Sequence, residues 1–152
     1  MVQHKIFAAA IFSMLAVFSL VTLLCAQADI EEHRDCIHCG MDRKAYGFSR
    51  MLVRYDDGTA VGVCSLHCAA IELNASAARR VKSIEVADRD TRTLIDAEKA
   101  YWIIGGDKPG VMTMTAKWAF AERRDAEKFL KEHGGRLASF KESLDAAIEM
   151  RD

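Results

Sequence analysis

The chain is poor in the features that mark disordered, fibrous and nucleic-acid-binding proteins. Its 152 residues include one proline and nine glycines, and no low-complexity tract interrupts them. Lysine and arginine total 21 against 22 aspartates and glutamates, with no long run of one sign. Little proline and glycine excludes a linker-like or collagen-like chain, and the lack of a basic patch argues against a nucleic-acid partner. We therefore expect one folded domain that binds no nucleic acid.

Motifs of common catalytic chemistry are also missing from the sequence. It contains no phosphate-binding glycine loop, no His-Glu-x-x-His motif and no serine–histidine–aspartate arrangement. A Cys39 nucleophile with His38 or His67 as its base would leave three other clustered cysteines without a role. We predict that the protein is not an enzyme.

The first 28 residues differ from the rest of the chain and predict export. Lys5 precedes an uncharged, mostly apolar stretch over 6–24, and Ala26-Gln27-Ala28 places small residues where a signal peptidase cuts. Cleavage there would start the mature chain at Asp29. Two alternatives stay open: lipidation of Cys25, and an uncleaved anchor that holds the protein in the membrane. All three predict a domain in the periplasm or on the outer face of the cytoplasmic membrane.

The remaining residues, 29–152, have the pattern of an α+β domain. Asp56-Asp57-Gly58 separates two short apolar runs, which is a strong hairpin signal, and Ser65 is placed to cap a following helix that reaches about Arg80. A second series of elements has the same order. We expect two successive strand–strand–helix (ββα) units with a mainly antiparallel sheet. The second series comprises predicted strands at 82–87, 100–104 and 111–115, a helix that stops at Gly134-Gly135, a short strand at 136–139 and a terminal helix from Phe140.

Four cysteines of the expected mature chain form two pairs with metal-ligand spacing. Cys36 and Cys39 make a Cys-x2-Cys pair, which lets both sulfurs meet one ion. Cys64 and Cys68 are four residues apart at a strand-to-helix junction, so their sulfurs share one face. The helix carries an apolar stripe on roughly the opposite side, and we expect the two sulfurs to face the Cys36–Cys39 loop rather than the core. The stripe consists of Leu66, Ala69, Ala70, Leu73 and Ala77.

Three interpretations of this cysteine set stay open. Four thiolates fit a structural zinc site, whereas an oxidising compartment favours disulfides. Met41, with His38 and His67 nearby, gives a soft donor mixture that favours copper(I). Met112 and Met114 are two residues apart, so on a strand they would face one side, either as a thioether pair or simply as core filling.

The chain resembles the NosL family, the accessory proteins of nitrous oxide reductase. The likeness spans about residues 36–140. It rests on Cys39-Gly40-Met41, on the segment 101–112 with its glycines and Met112, and on Ala119-Phe120 followed by His133-Gly134-Gly135.

This resemblance implies a paired ββα fold and an exported, often lipid-anchored carrier of copper(I) for nitrous oxide reductase. It implies copper ligands at Cys39, Met41, and Met112 or Met114. Cys36-Ile-His in front of Cys39 departs from the His-Tyr common in members dedicated to nitrous oxide reduction, and it adds a thiol. The recipient protein therefore stays open, and the alternative function is a structural zinc-binding or disulfide-stapled interaction module in heavy-metal handling. The expected metal ligands are Cys36, Cys39, Met41, Cys64 and Cys68, with His38, His67, Met112 and Met114 as further candidates.

Overall fold

The structure is a computed structural model that describes residues 28–148. The predicted signal or anchor, including Cys25, lies outside the described residues. The described part begins with a short helix, α1, over 28–32. No helix among residues 28–148 is long and apolar enough to span a membrane.

Four antiparallel strands form the first sheet, in the order β2-β1-β3-β4. The predicted hairpin is confirmed: the Tyr55 N–H donates to the Thr59 carbonyl at 3.0 Å, and Gly58 has φ +86°, which glycine adopts without strain. β1 lies between β2 and β3, so both of its edges are hydrogen-bonded, and four of its five residues are buried. The strands are β1 (Met51–Tyr55), β2 (Ala60–Val63), β3 (Val81–Ala87) and β4 (Leu94–Asp96).

Three antiparallel strands form the second sheet, in the order β6-β5-β7. The predicted stop after the third helix is confirmed, since Gly134 has φ +73° and its N–H donates to the Leu130 carbonyl. The α+β class with two antiparallel units is therefore confirmed. The elements are β5 (Tyr101–Ile104), β6 (Lys117–Phe120) and β7 (Arg136–Ala138), with helices α2 (Leu66–Ala75), α3 (Arg123–His133) and α4 (Phe140–Ile148).

Two local predictions were wrong, and one strand was missed. Helix α2 ends at Ala75 rather than near Arg80, because the chain turns at Ser76, whose carbonyl accepts the Arg79 N–H at 2.8 Å. Residues 111–115, predicted as extended, form successive bends because Met112 adopts φ +55°, and β6 begins only at Lys117. The short strand β4 was not predicted.

Two apolar clusters fill the core, and the cysteines belong to the first. That cluster joins β1, α2 and α4, and it includes the buried side chains of Cys36, Cys64 and Cys68. The second cluster lies between the second sheet and α3. Phe48 packs against both clusters. The fold thus places the strand-to-helix junction between β2 and α2 beside the loop that carries Cys36 and Cys39.

Candidate metal centre

The sulfurs of Cys36, Cys39, Cys64 and Cys68 converge, with every pair of Sγ atoms within 4.8 Å. Three of them form a tight triangle: Cys39 to Cys64 is 3.5 Å, Cys64 to Cys68 is 3.8 Å and Cys68 to Cys39 is 3.8 Å. All four are free thiols. The prediction that the two sequence pairs meet is confirmed.

The dimensions of the triangle suit a single metal ion. Its centre lies about 2.1 Å from each of the three sulfurs, and a metal–thiolate bond is about 2.3 Å long. An ion could therefore be bound close to the plane of these sulfurs with little movement of the protein, and the Cys36 sulfur is near enough to contribute as a fourth donor.

Backbone hydrogen bonds fix the loop that supplies the first pair. The Gly40 N–H donates to the Cys36 carbonyl at 2.8 Å, and the Cys36 N–H donates to the Met41 carbonyl at 2.9 Å, which closes a narrow turn. The Ile37 N–H donates to the Gly62 carbonyl at 3.3 Å and ties this turn to β2. Because β2 leads directly into Cys64, the same contact brings the two cysteine pairs together.

The expectation that Cys64 and Cys68 avoid the core was wrong. Cys64 is fully buried and Cys68 is 1 % exposed, and both belong to the first apolar cluster. An apolar stripe identifies one buried helix face, whereas the start of α2 is covered by the core on one side and by the Cys36–Cys39 loop on the other. Ala77, at the end of the predicted stripe, lies beyond the helix and is exposed.

Met41 and Cys39 form the more accessible side of the centre. The Met41 Sδ lies 4.0 Å from the Cys64 Sγ, so the thioether borders the thiol group. Both side chains are only partly buried, whereas the other three sulfur donors of the group are almost fully covered.

The two neighbouring histidines have different environments. His38 Nε2 lies 2.8 Å from the carboxylate of Glu72, which is 6 % exposed, so only Nδ1 of His38 remains for a metal. The Glu72 carboxylate also accepts the Tyr55 hydroxyl at 2.6 Å and the Ser76 hydroxyl at 2.8 Å. His67 Nδ1 is buried and has no hydrogen-bond partner within residues 28–148. Glu72 could not be identified from the sequence, because its contacts with His38 and Tyr55 join parts of the chain that are far apart.

Met112 and Met114 lie on the bent loop between β5 and β6. Met114 is 96 % exposed and Met112 is 44 % exposed, so core filling was the wrong interpretation of both. They do not lie on a strand, and the expectation that strand geometry pairs them was also wrong. Met112 has φ +55°, a conformation that strains a residue with a side chain.

Because the thiols lie close together, their pKa values shift in opposite directions. Hydrogen bonds from Cys64 and Cys68 lower the pKa of Cys36, against the opposing effect of burial. Hydrogen bonding to Cys36 raises the pKa of both Cys64 and Cys68, and burial raises it further. The centre therefore holds protons that a metal ion must displace, so metal binding releases protons.

A buried ion-pair group adjoins the centre. Asp29 binds Arg43 through Nη2 at 2.9 Å and Arg50 through Nε at 2.9 Å, and both arginines are at most 1 % exposed. One carboxylate between two guanidinium groups leaves a positive charge in excess. Burial lowers the pKa of Arg43, while Asp29 and, as a smaller effect, Cys36 oppose that shift. The excess positive charge favours the thiolate form of the neighbouring Cys36.

Comparisons with known proteins agree with this picture. Among solved structures, the chain is similar to the copper chaperone NosL from Shewanella denitrificans, with 22 % identity and a TM-score of 0.57 over 71 % of this chain and 87 % of that chain. That level of identity indicates a shared fold. No curated protein matches the chain significantly. The sequence profile of the NosL family matches residues 27–148. Because that match covers almost all of the described chain, the protein belongs to the NosL family.

Proposed function

We propose that the protein is an extracytoplasmic copper(I) chaperone, which binds copper(I) at the cysteine centre and passes it to a recipient protein. The observation that carries this proposal is the triangle of Cys39, Cys64 and Cys68 with a thioether at its edge. The solved relative is a copper chaperone by its description. Metal carriage of this kind requires no catalytic step.

The donor set favours copper(I) over zinc. The three sulfur–sulfur edges alone suit either metal, because a tetrahedral zinc–thiolate site has edges of about 3.8 Å and those here are 3.5 to 3.8 Å. Copper(I) accepts three sulfur donors, and soft thioethers such as that of Met41 select it. A trigonal site at Cys39, Cys64 and Cys68, with Cys36 and Met41 available for exchange, fits these distances.

Uneven burial gives the ion a route out. Cys39 and Met41 are the donors that an incoming ligand from a recipient can approach, because the other thiols are covered. Transfer would then begin with displacement of Cys39 or Met41 and proceed by stepwise exchange of sulfur ligands. Met112 and Met114 are exposed on their loop and would supply further thioethers while copper(I) is loaded or released. The strained backbone at Met112 supports a functional role for its side chain.

His38 and His67 are proposed as auxiliary ligands. Glu72 orients the ring of His38, as a carboxylate does for many metal-bound histidines. His67 lies between Cys64 and Cys68 in the sequence, and its Nδ1 has no hydrogen-bond partner among the described residues. Nitrous oxide reductase is the recipient that the family resemblance suggests. Export by the N-terminal segment, with or without a membrane anchor, would bring the two proteins into one compartment.

The burial of three thiols also supports a second candidate, a structural zinc or disulfide-stapled interaction module. The 3.5 Å separation of the Cys39 and Cys64 sulfurs would have to shorten to about 2.05 Å in a disulfide. A zinc module would keep one zinc ion per chain in the presence of a competing chelator. A disulfide-stapled module would lose its free thiols in air and stay folded.

Copper(I) titration against a competing chelator, under anaerobic and reducing conditions, tests the proposal on the purified protein. We expect Cys39→Ser to weaken copper(I) binding at least about 100-fold and Met41→Leu about tenfold, because each removes a donor. Glu127→Gln, at an exposed residue of α3 that is not part of the cysteine group, is the control and should keep the parent affinity. Unchanged affinity in Cys39→Ser, or zinc that survives chelation at one ion per chain, would contradict the chaperone proposal.

A further inference from the structure

A pocket of about 380 Å³ beside Phe48 and Trp118 is lined by cations and aromatic rings. Arg89, Arg92 and Lys108 supply the cationic groups, and Phe48 and Trp118 supply the rings. Nothing in the chemistry of the cysteine centre accounts for this pocket.

The pocket has an excess of positive charge. Its acidic residue, Asp90, is paired with Arg89 at 2.5 Å between Oδ1 and Nη1. The side chains of Arg92 and Lys108 make no ion pair with any residue in the described part of the chain. Two unpaired cations thus share one concave surface in a chain whose formal net charge is −1.

Hydrogen bonds to Asp88 hold the backbone of the loop that carries Arg92. The Asp88 carboxylate is 3 % exposed, and it accepts the Thr91 N–H at 2.7 Å and the Ala121 N–H at 2.8 Å. The Arg92 N–H donates to the Asp88 carbonyl at 2.8 Å. The backbone that presents Arg92 is therefore held in place before any ligand arrives, which reduces the backbone entropy lost on binding.

Arg92 occupies a backbone conformation that glycine would adopt more easily. Its φ is +60°, and its carbonyl accepts Nη1 of the buried Arg50 at 2.7 Å, which holds this conformation. A residue with a side chain is strained at such a φ. An arginine kept there against the local backbone preference indicates that its side chain has a use.

The pocket and the metal centre are joined by one short segment of chain. The Phe48 ring stacks on Trp118 at 6.0 Å, and the same ring packs against the core cluster that holds the cysteines. The next residue, Ser49, donates its hydroxyl to the Cys64 carbonyl at 2.8 Å. Phe48 and Ser49 thus connect the wall of the pocket to the backbone of Cys64.

We propose that this pocket binds an acidic segment of a partner protein, with aspartate or glutamate carboxylates on Arg92 and Lys108. Arginine forms bidentate hydrogen bonds with carboxylates, and the aromatic rings favour an apolar residue next to them. A concave pocket admits a projecting chain segment, whereas a flat bilayer surface cannot enter it. The identification of this partner as the copper recipient rests on the proposed function. The acidic character of the segment is inferred from the pocket alone.

Fluorescence anisotropy with a labelled decapeptide of glutamates around a central leucine tests this proposal on the full-length protein at low ionic strength. We expect saturable binding, and at least about tenfold weaker binding for the double variant Arg92→Gly/Lys108→Gln. Lys82→Gln/Lys128→Gln removes two exposed lysines outside the pocket and should stay within about twofold of the parent protein. Arg92→Gly relieves backbone strain, so its Tm should equal or exceed that of the parent, which separates lost binding from lost folding.

Three results would overturn the pocket assignment. The first is equal affinity for the matching glutamine decapeptide, and the second is an unchanged affinity in the pocket variant. The third is binding of phosphatidylglycerol vesicles that the pocket variant abolishes, with no binding of the acidic peptide, which would assign the pocket to a membrane. Copper(I) affinity, measured on the same variants, should be unchanged. Retained peptide binding in a protein that fails to bind copper(I) would refute the proposed function and leave the pocket assignment intact.

Discussion

Replacement of Asp29 by alanine should destabilise the domain more than any change at a surface ion pair. The Asp29 carboxylate receives Arg43 Nη2 and two nitrogens of Arg50, Nε and Nη2, each at 2.9 Å. The carboxylate therefore joins both buried arginines in one ion-pair group. The predicted cleavage after Ala28 would leave this carboxylate in the first residue of the mature chain.

The expected magnitude follows from burial. Loss of one partner from a buried ion pair costs about 3–5 kcal/mol, because the other charge is left without compensation. Both arginines of this group are at most 1 % exposed, so the upper part of that range applies. Backbone carbonyls, including those of Met51 and Gly47, still accept from the two guanidinium groups and limit the loss. A small domain has a total stability of about 5–15 kcal/mol, so the variant should be close to unfolding.

Urea denaturation, followed by circular dichroism, measures this free energy. Asp29→Asn keeps the shape and an acceptor oxygen, so it should lose less than Asp29→Ala. Glu127→Gln breaks the exposed pair with Arg123 and is the matched control, with an expected loss below about 0.5 kcal/mol. A loss of 1 kcal/mol or less in Asp29→Ala would refute the view that this group holds the segment before the cysteines in place.

Three further predictions follow from the same contacts. Burial alone would raise the pKa of Asp29, but Arg50 and then Arg43 lower it below its ordinary value of 3.8. The stabilisation by the ionised carboxylate is therefore complete above about pH 4, and it is lost as the pH falls towards the folded-state pKa. The free energy of unfolding should therefore fall more steeply with acid in the parent protein than in Asp29→Asn. Gly62→Ala should lower stability by about 1–3 kcal/mol, since its added Cβ would lie 2.4 Å from the Cβ of His33 and 2.8 Å from Arg43 Cζ; a neutral result in urea denaturation would contradict the packing of the loop on β2. Glu72→Ala should weaken copper(I) binding about tenfold, because it frees the His38 ring beside Cys39, whereas Glu72→Gln, which keeps a hydrogen-bonding partner, should weaken it less in the same chelator competition.

Much of the centre could be predicted from spacing, because local chain geometry sets it. Cys36 and Cys39 lie in a turn closed by hydrogen bonds between near neighbours. The Asp-Gly hairpin places Cys64 directly after β2, but the two pairs meet through the contact between Ile37 and Gly62, which lie far apart in the chain. The glycine stop of α3 depends on the same kind of local chemistry.

Burial and long-range polar contacts were beyond the reach of the sequence. An amphipathic stripe identifies one covered face of a helix, and α2 is covered on a second face by a loop that the stripe cannot indicate. The pairing of His38 with Glu72 joins residues 34 positions apart, and that of Asp29 with Arg50 joins residues 21 positions apart. Met112 could not be placed because its positive φ contradicts the extended pattern of its neighbours.

X-ray absorption at the copper edge, on the anaerobically loaded protein, tests the cysteine centre most directly. The separations of Cys39, Cys64 and Cys68 predict a first shell of about three sulfurs around one copper(I) ion. Cys39→Ser should lose one sulfur from that shell. A first shell dominated by nitrogen or oxygen, or a spectrum that Cys39→Ser leaves unchanged, would contradict the assignment of this centre as the copper site.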